Sequence, residues 1–103
     1  MAIDLIVEDK VCNGVYVYDL EGDRVQTVSA KGVFVATGGL GKIFMYTSNS
    51  DVATGDGFAM CFRAGLPLIN MEFIQFHPTV FYDKNVEVEN ERRFLLTEAL
   101  RGA

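Results

Sequence analysis

The stretch TGDGFAMCFRAG, residues 54–65, constrains the fold more than any other part of the chain. Gly55 and Gly57 open a helix and Gly65 closes it as a left-handed cap, so the pattern predicts one short helix over residues 55–64. Phe58, Cys61 and Phe62 recur at three-and-four spacing and predict its buried stripe. The free backbone N–H groups of such a helix start suit an anionic or phosphate-bearing ligand, and Asp56 can cap the turn while presenting a carboxylate to a hydroxyl or ring N–H. Beyond the cap, PLINMEFIQF reads as an extended, mostly apolar segment whose Glu72 and Gln75 need partners if buried. It runs into the single histidine of the chain, His77, held between Phe76 and Pro78. Proline pushes the residue before it to an extended conformation, so this imidazole is aimed, and an aimed imidazole can hold a substrate carboxylate.

The residues before the helix read as a β-meander. Residues 3–7, 14–18, 25–29 and 33–37 are β-branched or aromatic runs separated by polar turns, which predicts four strands. In the turn LEGD, Gly22 is expected to supply positive φ. The fourth run, VFVATGG, reads as a buried strand ending in Thr37, Gly38 and Gly39, where glycine lets a ligand or another backbone approach closely. GGLG is not the GxGxxG dinucleotide fingerprint, and taken alone it is most simply a tight turn.

Half of the residues are hydrophobic and ten more are glycine in a chain of 103. That is much apolar surface for a domain of this size, which buries a small share of what it has. We therefore expect a piece of something larger, which by itself self-associates through exposed apolar faces. The net charge of −5 and the scattered basic residues argue against a nucleic-acid surface. No apolar run is long enough for a membrane helix and no basic start with an apolar core marks a signal peptide, so an intracellular protein with no membrane segment is expected. Cys12 and Cys61 are distant, with no CxxC, and indicate neither a metal site nor a disulfide framework. Residues 82–93 are charged and read as a solvated excursion. Near the end, Glu98 and Arg101 share a face if helical. Alone they are most simply a surface ion pair, and a functional reading makes them a proton relay.

ATGG, TGDG, EFIQFHPT and FLLTEALRG stand in this order along the chain. Together they resemble the flavoprotein subunits of the succinate dehydrogenase and fumarate reductase family, and the LLTEALRG ending is closest to the branch that oxidises L-aspartate. The resemblance implies an α+β fragment, an antiparallel β-meander plus short helices. Residues 1–66 would be the C-terminal portion of an FAD/NAD(P)-binding domain, and residues 67–103 the FHPT segment leading into the substrate region, at the start of its capping domain. It implies FAD as cofactor of a full-length parent, a dicarboxylate substrate such as L-aspartate or fumarate, hydride transfer from the substrate's α-carbon to the flavin, and a cytoplasmic enzyme feeding NAD biosynthesis through quinolinate.

Residue by residue, the resemblance makes Thr37, Gly38 and Gly39 the turn lying against FAD, Asp56 the flavin-contacting aspartate, and Ala2 the point where the chain passes the adenosine half. His77 becomes the ligand of a substrate carboxylate, Leu95 and Thr97 line the same pocket, and Glu98 and Arg101 form the catalytic pair that passes protons. The family's N-terminal GxGxxG, its acid–base arginine, its second substrate histidine and its second carboxylate-binding arginine have no counterpart here. The spacer between FHPT and LLTE is longer than the family's and is expected to bulge outward, and the chain reads RGA where the family reads RGEGA. The fragment alone is accordingly expected to be inactive and to hold no FAD. Two alternatives remain: a fumarate reductase or succinate dehydrogenase flavoprotein subunit, and a non-enzymatic β-rich interaction module.

Overall fold

The computed structural model describes residues 1–77, 79–81, 83–84 and 95–96. These contain three strands, β1 (Ala2–Glu8), β2 (Val11–Asp19) and β3 (Arg24–Ser29), a 3-10 turn at Gly41–Ile43, and one helix, α1 (Asp56–Arg63). Two compact units divide the chain, one of Met1–Thr37 with Asp56–Ile69, the other of Gly38–Gly55 with Asn70–Ala103.

The first unit is an antiparallel meander in the order β1-β2-β3, with α1 packed on β1. Its first hairpin closes through Asp9 and Lys10, both at positive φ (50° and 66°), the twist that suits a two-residue connection between right-twisted strands. At the second hairpin Asp19 organises the turn: its Oδ1 accepts the N–H groups of Glu21 and Gly22 at 3.2 Å each, and its Oδ2 accepts Gln26 Nε2 at 2.8 Å. The left-handed residue there is Asp23 (φ 45°), not the expected Gly22, because the Asp19 side chain has already turned the backbone one residue earlier. Gly14 is buried in β2, and a Cβ placed on it would come within 2.1 Å of the Val28 carbonyl oxygen, so only glycine lets β3 lie this close.

The predicted fourth strand does not form. Ladder bonding ends with Ala30 N–H to Asn13 O at 2.9 Å, residues 33–37 carry no strand, and Phe34 is 99% exposed. A strand exists only where a neighbour pairs with it. Here Val35 and Thr37 lie against Gly57 of α1 instead.

Helix α1 ends as its glycine predicted. Leu66 N–H reaches Cys61 O and Gly65 N–H reaches Phe62 O, each at 3.0 Å, with Gly65 at φ 82°, the paired bonds of a Schellman stop. Its buried side differs from the expected stripe. Gly57 and Met60 face inward, Phe58 and Cys61 are half-buried, and Phe62 is 69% exposed. The close approach at Gly57 sets the rotation of the helix, and Phe62 is carried outward with it.

In the second unit, Lys42 N–H bonds Ala53 O at 3.0 Å and Lys42 Nζ meets Asp51 Oδ1 at 2.6 Å, which closes residues 42–53 into a loop. Asn70 takes a left-handed conformation (φ 58°) and Phe73 N–H returns to its carbonyl at 3.1 Å, so the expected extended segment is broken by a turn. Glu72 and Gln75 are exposed and need no buried partners. Val80 and Leu95 form an antiparallel bridge, with Leu96 N–H on Thr79 O at 3.1 Å. Among the described residues of the whole chain, the buried apolar side chains are Ala53 and Met60.

Candidate functional site

In the first unit the site is built around the start of α1. Asp56 is the first residue of the helix, so its carboxylate sits at the positive end of the helix dipole. A Cβ on Gly57 would fall 2.0 Å from Thr37 Oγ1 and 3.0 Å from Val35 Cγ1. The absence of a side chain at Gly57 thus brings the Thr37 hydroxyl against the first turn of the helix. Thr37 and Asp56, 19 positions apart in sequence, belong to one local arrangement. Ala2 opens β1, exposed and paired with Val17.

The second unit contains a cavity of about 670 Å³, within the range of small-molecule sites. The loop closed by Lys42 and Asp51 supplies one wall, including Phe44, Tyr46 and Asn49; the extended residues 73–77 supply another, and His77 and Gly39 both line the space. Gly38 has φ 75°, and among the described residues neither Gly38 nor Gly39 has any atom within 4 Å of where a Cβ would stand. Their faces are open, as an approaching ligand requires. Gly41 differs: its Cα face is filled by the side chains of Asn49 and Thr47, so that glycine serves the loop's own packing.

The structure therefore gathers Thr37 with the Asp56 turn, and Gly39 with His77. Leu95 does not line the cavity, but its bridge partner Val80 does. Thr97, Glu98, Arg101 and Pro78 lie outside the described residues. Sequence reasoning passed over the wall at residues 44–49 and the seat of Thr37 on Gly57. The first carried a readable signal in its Tyr-Thr-Ser-Asn run; the second had none, because it depends on how α1 is rotated.

An ion pair connects α1 with the sheet. Arg63 Nε donates to Asp4 Oδ2 at 2.9 Å and its Nη2 donates to the Ile3 carbonyl at 2.9 Å. The Arg63 hydrogen bond holds the Asp4 carboxyl below its ordinary value of 3.8, aided by the Leu5 N–H and opposed by slight desolvation. At the second hairpin, the Tyr18 hydroxyl donates to Asp23, which raises the phenol's pKa.

An FAD binding domain model matches residues 1–103. L-aspartate oxidase of Vibrio cholerae is 50% identical over 107 residues, covering 98% of this chain and 19% of that protein. L-aspartate oxidase 1 of Ralstonia nicotianae is 47% identical, again over 98% of this chain and 19% of its own length. The succinate dehydrogenase flavoprotein subunit of Rickettsia felis is 43% identical over 101 residues, 98% of this chain and 16% of that protein. The chain thus spans about a fifth of the length of these relatives. Matched from its first residue to its last, the chain belongs to the FAD binding domain family.

Proposed function

We propose that this chain supplies part of the FAD site and part of the substrate pocket of an enzyme that oxidises L-aspartate to iminoaspartate. The observation that carries the reading is His77 lining a ligand-sized cavity beside Gly39, within a chain about half identical to L-aspartate oxidases. Each unit by itself offers groups that suit part of the cofactor: in the second, two adjoining glycines with faces open among the described residues leave room for a flat ring or a phosphate, and in the first, Thr37 and the Asp56 turn offer a hydroxyl and a carboxylate to a polar edge. FAD, when bound, supplies the acceptor for the hydride leaving the substrate's α-carbon.

The chain's own residues bind and orient. His77 holds one carboxylate of the dicarboxylate, by a hydrogen bond when neutral and by charge as well when protonated. Phe44 and Phe76 form apolar walls that limit water and keep the substrate in one pose. Thr97 adds a hydroxyl to the same carboxylate, Leu95 supports the pocket wall through its bridge to Val80, and Glu98 and Arg101 move protons to and from the pocket. Ala2, Thr37, Gly38, Gly39 and Asp56 contact the cofactor, and residues 67–103 begin the capping domain. The enzyme works in the cytoplasm at the entrance to NAD biosynthesis. Among the described residues no helix is long and apolar enough to cross a membrane.

Mixed anaerobically with L-aspartate, the full-length protein should lose its flavin absorbance, and with oxygen it should release peroxide. Bleaching by succinate but not by aspartate would instead assign the chain to the dehydrogenase branch, to which its 43% identical Rickettsia felis relative belongs.

A further inference from the structure

Strand β1 carries a bulge at its start. Ala2 pairs with Val17 and Asp4 with Tyr16, so β1 advances two residues where β2 advances one, and Ile3 is the extra residue. The carbonyl of such a residue is released from the ladder, and Arg63 occupies it: one guanidinium bonds both Ile3 O and Asp4 Oδ2 at 2.9 Å. These partners are 60 and 59 positions away in sequence. The fork is planar and its donors diverge at fixed angles, so it sets orientation as well as distance.

Helix α1 has only eight residues, too few to hold its shape unaided, so its attachments decide where it lies. Its first turn is seated on Thr37 and Val35 through Gly57, and Met60 is its one buried apolar side chain. At the opposite end the Arg63 fork ties it to the sheet. Without that tie the helix axis can swing about Gly57, which re-aims the Asp56 carboxylate and the first-turn N–H groups relative to β1, whose Ala2 adjoins the bulge.

We propose that Arg63, acting with Asp4 and the Ile3 bulge, is a positioning residue for the cofactor, fixing the direction of α1 and so the aim of the Asp56 turn relative to the β1 backbone at Ala2. The proposal rests on the flavin reading given above. Arg63 does not itself touch the cofactor.

The test uses the full-length flavoprotein carrying this chain, stripped of FAD and titrated with FAD by fluorescence quenching, with R63Q, R63K and D4N alongside the unaltered protein. R63Q should weaken FAD binding about tenfold, equivalent to about 1.4 kcal/mol. It should also alter the visible circular dichroism of bound flavin, while the apoprotein melts within about 2 °C of the unaltered one. D4N, which keeps the Ile3 contact, and R63K, which keeps the charge, should fall between the two and regain most of the dichroism. Should R63Q fail to fold, those two variants give the same comparison. Wild-type affinity and dichroism in all three variants overturns the proposal, as does a loss of affinity with unchanged dichroism and an apoprotein melting many degrees lower, which leaves Arg63 a purely stabilising residue. If the unaltered protein takes up no FAD, the flavin reading itself fails and this proposal with it.

Discussion

His77 is exposed, lines a cavity, and has Gly39 among its neighbours along the wall. An imidazole there is available to a ligand rather than spent on internal packing. In the full-length enzyme, His77→Ala should raise KM for L-aspartate by about 10–100-fold, the loss of one charge-assisted contact, and lower kcat less than kcat/KM. An unchanged KM in steady-state assays would remove the carboxylate role. The proline neighbour and the motif around His77 marked it as a candidate in the sequence. Its companions in the wall, Phe44, Tyr46 and Asn49, come from a loop about thirty residues earlier in sequence, and no local pattern links them to it. The seat of Thr37 on Gly57 was hidden for a related reason: a glycine in sequence looks the same whether it bends the chain or makes room for a neighbour.

At the scale of elements, three strands and one helix were legible because β-branched runs and glycine stops act locally. The fourth strand was misjudged because pairing is a property of two segments, and among the described residues β3 pairs with β2 alone. Phe62 was misplaced because the spacing 58, 61, 62 describes a stripe without saying which way it faces; the bare Cα of Gly57 chose a face centred on Met60. The tie between β1 and α1 carries its own pH dependence. Asp4 is more acidic when folded than its ordinary value of 3.8, so the unfolded chain binds the extra proton first as pH falls. The pair's contribution is complete above about pH 3.8 and disappears as pH drops through the folded-state value. Melting curves of the full-length protein and D4N should therefore differ at neutral pH and converge once the pH has fallen through the folded-state value of Asp4. The difference should be small, since exposed ion pairs contribute about 0–1 kcal/mol.

For the whole molecule, the balance between apolar content and burial decides behaviour. Two buried apolar side chains among the described residues are far fewer than a lone domain of this length needs, while Phe34, Phe73 and Phe76 stand 99%, 75% and 81% exposed. The 103-residue chain prepared alone should elute from a sizing column well ahead of its 11.4 kDa mass and show no flavin absorbance. A monodisperse monomer that melts cooperatively would favour an independent interaction module instead.

The first unit is discontinuous: it leaves at Thr37 and resumes at Asp56, and Gly57 lies against the very hydroxyl where the exit occurs. The eighteen intervening residues, 38–55, are therefore an excursion hung from a nearly closed doorway. A stretch inserted this way can lengthen, shorten or exchange its side chains without asking the sheet to re-pair. The wall that this stretch contributes can in this way change its lining while the meander and its helix stay as they were.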